Sequence, residues 1–524
     1  MKIAFVSIDA GIIAVGFRKM ASLIRSVHPD TEISYIVPTN QMSVMSFLKG
    51  RCTSEIEDAD MDRMAKHYAE FDIVASSSMT PYAELNKDLF ARIKKINPNV
   101  FIIWGGIHPI VDSEDAIKHA DAICIGEGEI AFSQFLTAYN AGEDFTQTKN
   151  FWFHKDDQIV RNGFLPLQTA SDFESFPIPC YADNEIIFKN GRGFVPLDND
   201  EYLKLNGIAF HTVWSIGCPF TCTYCSNSKF IDNDSDYRKI RHSSVDRIIA
   251  EIKNVLAIHP YITSITFHDD SFIGLPLDVV KEFSELWQKE INISFSVLGA
   301  LPGLIRKEKV ELLVKAGMYR IKMGIQSPSA RILKFYKRPA TVASTRKAIE
   351  IISDYTSSMI PPTYDLILDN PVENREDVLE SLRFIYDMPR PFTLNIFSLR
   401  LMPNTELANQ LKALDITHPT IEELSYTLVK PSFANILVYA IDIVRPPRKF
   451  FEFLLKYVKP YSEPQGEYPT ALFLIRTLYM VKRGLNHLRF LDFSYFPGFM
   501  GAIGYWFAKA GILRFWHLHV LKFR

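Results

Sequence analysis

The chain has 524 residues, 47% of them hydrophobic, and a formal net charge of −2. That length exceeds a single core and divides into more than one domain, while near neutrality gives no electrostatic reason to expect a nucleic-acid partner. Of six cysteines, Cys52, Cys124 and Cys180 are scattered without paired spacing, which argues against a disulfide framework and for a reduced, cytoplasmic protein.

The amino terminus enters a strand at once and shows no signal-peptide pattern. Over residues 1–140, short apolar runs at Ile3 to Ile8, Ile33 to Val37, Ile73 to Ser77, Phe101 to Trp104 and Ala122 to Ile125 alternate with amphipathic segments. Continuous apolar strands separated by helices predict an α/β, Rossmann-like domain with a parallel sheet covered on both faces. Ligands of such sheets bind at the strands' carboxyl ends. The candidate loops are therefore Asp9-Ala10-Gly11, Ser76-Ser77-Ser78-Met79-Thr80, Gly105-Gly106-Ile107-His108-Pro109 and Gly126-Glu127-Gly128-Glu129.

Residues 141–204, with Pro177, Pro179 and Pro196, are expected to form a linker. Between 205 and 410, six strands are expected at Thr212 to Ile216, Ser264 to His268, Ile293 to Val297, Arg320 to Met323, Thr363 to Leu368 and Leu394 to Phe397. This alternation predicts a partial (β/α)6, TIM-like barrel whose reactive face lies at the carboxyl ends of its strands. Residues 411–524 read as a mostly helical region, aromatic and basic toward its end. From Arg476 to Arg524 eight Lys or Arg face only Asp492 among acids.

The first barrel strand runs into Gly217-Cys218-Pro219-Phe220-Thr221-Cys222-Thr223-Tyr224-Cys225. A structural zinc site wants four ligands and a redox disulfide wants two, so three cysteines in C-x3-C-x2-C spacing suit neither. Three thiolates can hold an iron-sulfur cluster and leave one iron for another ligand.

This run resembles the signature of the radical S-adenosylmethionine superfamily, with Tyr224 as the aromatic before the last cysteine. The resemblance implies a 4Fe-4S cluster on Cys218, Cys222 and Cys225, with S-adenosylmethionine chelating the open iron and yielding a 5'-deoxyadenosyl radical on one-electron reduction. It also implies an electron donor such as flavodoxin or ferredoxin. His268-Asp269-Asp270-Ser271-Phe272 occupies the place where relatives hold the methionine amino group, although either aspartate could instead cap a following helix. Gly324-Ile325-Gln326-Ser327 looks like the family's G-I-E-S segment with glutamine for glutamate, a residue that hydrogen-bonds adenosine or ribose without charge. Lys334-Phe335-Tyr336-Lys337-Arg338 resembles a segment whose last arginine engages the methionine carboxylate, a planar fork suiting that group. A solvated basic helix face is the alternative there. Tyr364, Asp365 and Leu399 to Thr405 also match the subfamily.

Upstream, Gly105-Gly106 and Gly126-Glu127-Gly128 resemble the cobalamin-binding domain that precedes the radical domain in one large subfamily. With Ser76, Ser77 and His108 they are the expected cobalamin contacts, His108 lying near the nucleotide tail. Ala10-Gly11 follows Asp9 where a cobalt-ligating histidine would sit, so no histidine is expected beneath the cobalt.

The implied activity is cobalamin-dependent radical C-methylation of an unactivated carbon. Cyclisation, rearrangement or carbon-carbon coupling without methyl transfer is the alternative, and a non-catalytic cobalamin or lipid-surface binding protein a third reading. The absence of a second cysteine triad argues against a methylthiotransferase. Phe490, Phe493, Tyr495, Phe496, Phe499, Tyr505, Trp506, Phe507, Phe515 and Trp516 are interleaved with Arg489, Lys509, Arg514, Lys522 and Arg524, and the uncharged run Phe493 to Ala508 among them, sixteen residues long and broken by Pro497, Gly498, Gly501 and Gly504, is too short to span a bilayer. They suggest peripheral contact with the inner face of a membrane through 476–524 and a lipid or isoprenoid-like substrate, or else aromatics packed over the barrel mouth.

Overall fold

The computed structural model describes every residue except 39–43, 50–55, 157, 180–183, 422–427, 489, 493–498 and 521–524. Cys52, Cys180, Arg489, Phe493, Tyr495, Phe496, Lys522 and Arg524 thus lie outside the described residues.

The first sheet contains β1 (Ile3–Ile8), β2 (Glu32–Ile36), β3 (Ile73–Ser78), β4 (Phe101–Gly105), β5 (Ala122–Cys124), β6 (Phe151–Lys155), β7 (Gln158–Arg161), β8 (Glu185–Lys189) and β9 (Gly193–Pro196). Their spatial order is β7-β6-β5-β4-β3-β1-β2-β8-β9. β1 to β5 are parallel, and all six residues of β1 are buried. One face packs Phe5, Ile33 and Ala75 against Phe17, Ile24 and Phe135, and the other packs Val6, Val74 and Ile102 against Met64, Tyr68 and Phe90. Alternate residues thus serve opposite helical layers, which is why these strands are apolar throughout. The chain reverses direction across the sheet between β1 and β3, opening a crevice at their carboxyl ends.

Residues 141–204, expected to be a linker, instead add β6 and β7 at one edge and β8 and β9 at the other. Sheet pairing hides that role from the sequence, since these edge strands are short and only partly buried.

The second sheet contains β10 (Ala209–Thr212), β13 (Ser264–Phe267), β14 (Ser294–Ala300), β15 (Met318–Gln326), β16 (Thr363–Leu368) and β17 (Thr393–Ser398), paired in parallel in that order. This is an open, six-stranded partial (β/α) barrel. The first strand ends four residues earlier than expected: Ser215–Ile216 is a separate strand, β11, pairing antiparallel with β12 (Arg241–His242). The apolar run therefore serves two sheets, and the cysteine loop hangs from the small one.

Beyond the barrel the described chain is helical. The helix Pro469–Leu488 lies along β17, where Tyr479 Oη donates to Leu394 O at 2.7 Å and Lys482 Nζ to Phe392 O at 2.8 Å. The chain then crosses the amino-terminal end of the barrel: Phe490 packs with Tyr319 and Ile360, while Ala508 and Leu513 pack with Leu203 and Ile208. These described contacts lie at the floor of the barrel, while Lys430 and Asn435 reach Asp369 at the carboxyl end of β16. Among the described residues no helix is long and apolar enough to cross a membrane.

Candidate active site

The cysteine loop is shaped by its backbone. Gly217 has φ +108°, and a Cβ there would lie 2.3 Å from Lys239 O, so only glycine lets the loop close on the 237–239 segment. Cys218 N donates to Tyr237 O at 3.2 Å, Thr223 N to Tyr336 O at 3.0 Å, and Leu407 N to Thr223 O at 2.9 Å. The last two bonds tie the loop to segments more than a hundred residues downstream.

Burial pushes the Cys218 thiol up to about 11 and that of Cys225 up to about 12, and each lies within Coulomb range of the other two cysteines' loop positions. Burial disfavours these thiolates, and a coordinated metal would stabilise them. No three His, Cys, Asp or Glu side chains among the described residues close on a single-ion site. Three free thiols on one loop match the donor set of a cluster that leaves one iron for another ligand.

Arg338 lies beside the loop and is buried. Its Nη1 donates to Tyr224 Oη at 3.0 Å and reaches Cys222 Sγ at 3.6 Å, its Nη2 donates to Gly324 O at 2.6 Å, and its Nε has no partner. It is thus no solvated helix face. Gln326, at φ +69°, folds over Gly324, where a Cβ would come within 2.6 Å of the Gln326 amide nitrogen. Ser327 is buried, and its Oγ accepts from Ser329 N at 3.2 Å.

The aspartate pair divides its work. Asp269 accepts from Trp214 N at 3.1 Å, Ser215 N at 2.5 Å and Ser215 Oγ at 2.6 Å, fastening β13 to the strand that launches the loop. Burial pushes its carboxyl up to about 6, against those hydrogen bonds. Asp270 is exposed toward Cys218 and Cys225. Neither caps the following short helix, whose N-cap is Ser271. Gly299 on β14, which no local motif marks, also shapes this site: a Cβ there would sit 1.6 Å from Asp269 O.

At the first sheet, Gly106 has φ +90° and a Cβ would meet Ser78 O at 2.6 Å, so this turn requires glycine. A Cβ on Gly126 would strike the Asn150 side chain at 2.8 Å, whereas Gly105 and Gly128 have only ordinary contacts. Ser77 is half-buried beside Gly106. Ser76 is buried, its Oγ donating to Asn86 Oδ1 at 2.6 Å. His108 is also buried, its ring centroid 4.8 Å from that of Trp104 and tilted 32° to it, with Nε2 3.5 Å from Asp115 Oδ2; burial holds its imidazole below the usual range. Glu127 is bound by Arg241 of β12 at 2.5 Å and accepts from Gln168 N at 2.8 Å. Ser77 and the glycine backbones thus stand at the carboxyl ends of the strands, Ser76 and His108 are buried, and Glu127 is held by Arg241.

The Arg241–Glu127 pair joins the loop after β5 to the strand beside the cysteine loop. Asn404, after β17, also donates to Val111 O at 3.2 Å. The carboxyl ends of the two sheets thus face one another.

Inside the barrel, half-buried side chains mark alternate positions. His211 Nδ1 lies 2.8 Å from His268 Nε2, Lys322 Nζ 3.9 Å from Asp365 Oδ2, and Asn395 Nδ2 donates to Asp365 Oδ1 at 2.9 Å. Burial, with Lys322 and Arg320 nearby, pushes His268 down to about 4. One layer nearer the mouth stand Ile367 and Phe397, and Leu298 on β14.

Family comparisons agree with this geometry. The radical SAM superfamily model matches residues 212–385, and the B12 binding domain model matches 47–136. The chain belongs to the cobalamin-binding radical SAM family. Its cofactor set is accordingly a 4Fe-4S cluster, S-adenosylmethionine and cobalamin. The chain is 26% identical over 63% of its length to an uncharacterized methyltransferase of Pyrococcus horikoshii, covering 67% of that protein. It is 25% identical over 65% of its length to the anaerobic magnesium-protoporphyrin IX monomethyl ester cyclase of Cereibacter sphaeroides, spanning about half (53%) of that relative. In fold it is similar to the cobalamin-dependent S-adenosylmethionine radical enzyme OxsB with aqua-cobalamin bound, with TM-score 0.61 and 15% identity over 99% of this chain and 76% of that one.

Proposed function

We propose that this radical SAM protein is a C-methyltransferase whose substrate lies between the two facing carboxyl edges. The observation that carries the reading is the Arg241–Glu127 bridge, which holds the Gly126 loop of the B12 domain against the cysteine loop of the barrel. A substrate carbon placed between them can be opened by hydrogen abstraction from one side and receive a methyl group from the other.

In this reading Cys218, Cys222 and Cys225 hold the cluster, Asp270 and the Asp269 carbonyl receive the methionine ammonium, and Arg338 Nε, lacking a partner, meets its carboxylate. Gln326 contacts the nucleoside. Ser77, Gly105, Gly106, Gly126 and Asp9 line the cobalamin crevice, with Ser76, His108, Glu127 and Gly128 behind them. When bound, these cofactors supply a 5'-deoxyadenosyl radical and a transferable methyl group. The barrel lining favours an amphipathic substrate: Leu298, Ile367 and Phe397 surround its reacting apolar end, and Lys322, His211 and His268 lie deeper, where an ionisable group would anchor.

An anaerobic assay measuring 5'-deoxyadenosine, S-adenosylhomocysteine and methylated product tests the reading. All three should rise together. Deoxyadenosine without homocysteine would favour the ring-forming chemistry suggested by the cyclase relative and sink methyl transfer.

A further inference from the structure

The helix Pro469–Leu488 turns its charges inward. Arg476 donates to Phe47 O and Val429 O, Lys482 binds Asp442, and Arg483 donates to Asn395 Oδ1 and Tyr479 Oη. Its outer face carries Ala471, Leu474, Leu478, Val481 and Leu485, with Leu488 half-buried at the end. The four central residues are 59%, 55%, 55% and 62% exposed.

The spacing of this stripe is three, four, three, four and three residues, the alternation of a coiled-coil seam. A period of 3.5 matches another helix, whose side chains interleave every second contact. A bilayer surface would instead be met by a basic flank beside the apolar face. Here the helix's own cations are committed to the interior, and the exposed segment that leads into it, Glu467-Tyr468, brings an acid rather than a base. We propose that this seam is a homodimer interface, in which the same helix of a second copy of the chain lies against it across a two-fold axis.

Its size supports that occupant. Twenty residues make a helix about 30 Å long. Side chains exposed to this degree offer roughly 500 Å2 per copy, and about 1,000 Å2 in the pair reaches the lower bound for a specific interface. A two-fold pairing also makes the patch self-complementary, so no second surface is needed. The helix sits on the outer side of β17, so both barrel mouths remain open.

Sedimentation velocity of the full chain over a concentration series tests this. A species of twice the 60.0 kDa protomer mass should appear. Replacing Leu478→Glu and Leu485→Glu together should weaken the dimer by at least about a hundredfold, with unchanged circular dichroism because both sites are exposed. Should that variant unfold, hydrogen exchange of the wild-type 469–488 backbone provides a second measurement: protection should increase with protein concentration. A wild-type chain that stays monomeric throughout, a dimer indifferent to both substitutions, or exchange that is independent of concentration would overturn the proposal. So would a monomer that binds vesicles of phosphatidylcholine and phosphatidylglycerol through these same leucines.

Discussion

Gly299 shows how a site can depend on an atom that is not there. Its missing Cβ lets β14 approach the Asp269 carbonyl, and the added methyl of Gly299→Ala would stand 1.6 Å from that oxygen. The turn must then shift. Overpacking of this kind costs about 1–3 kcal/mol or more, and S-adenosylmethionine affinity by equilibrium dialysis should fall with the melting temperature. Gly303→Ala, whose nearest neighbour is Phe220 Cζ at 3.9 Å, is the matched control and should be close to neutral. Glu373 carries a different signature. Burial, with Asp377 and Asp369 nearby, pushes its carboxyl up to about 8, well above its unfolded value. The folded chain keeps a proton that the unfolded chain loses, so this contribution is full below the unfolded pKa and disappears as pH rises toward 8. Urea midpoints measured near pH 5 and near pH 8 should differ less in Glu373→Gln than in the parent. An equal difference would show that Glu373 is not the titrating group.

Between elements, the bridge from Arg241 to Glu127 couples β12 to the loop after β5. Both side chains are only 13% exposed, so their attraction is less screened than that of a surface pair. A double-mutant cycle with Arg241→Ala and Glu127→Gln should give a coupling of about 1–3 kcal/mol in stability. If the proposed placement of substrate holds, product formation should fall further than deoxyadenosine formation, because the cysteine loop itself stays intact. The elements were largely legible in the sequence, since each interior strand of the first sheet is a buried apolar run. The bridge was not. Its partners are 114 residues apart, and neither position carries a local signal that differs from any exposed charge. The same holds for His211 and His268, brought to 2.8 Å by parallel neighbours β10 and β13.

Across the whole molecule, the carboxyl-terminal region seals the barrel rather than hanging from it. Asp442 is fully buried, accepts from Leu394 N at 2.9 Å and from Lys482 Nζ at 2.9 Å, and so links two helices to β17. Removing one partner of such a pair leaves a buried charge uncompensated, so Lys482→Met should cost about 3–5 kcal/mol in denaturant unfolding. A loss well under 1 kcal/mol would mean that Asp442 is protonated and the helix is held by packing alone. Of the basic residues that suggest anionic lipid in the sequence, Arg476, Lys482 and Arg483 are turned inward onto backbone and side chains, whereas Lys509 pairs with Asp200 at the surface and Arg514 is exposed.

The sequence by itself determined the radical-generating loop and the alternation of strands and helices, because cysteine spacing and hydrophobic periodicity are local properties. It also marked the Gly105-Gly106 turn, where backbone conformation demands glycine. Only the tertiary structure decided which strand each apolar run joins, which aspartate faces the thiols, which side of the last long helix meets water and how the two carboxyl edges oppose each other. Those outcomes depend on contacts between residues distant in the chain, whose energies exist only once both partners are in place.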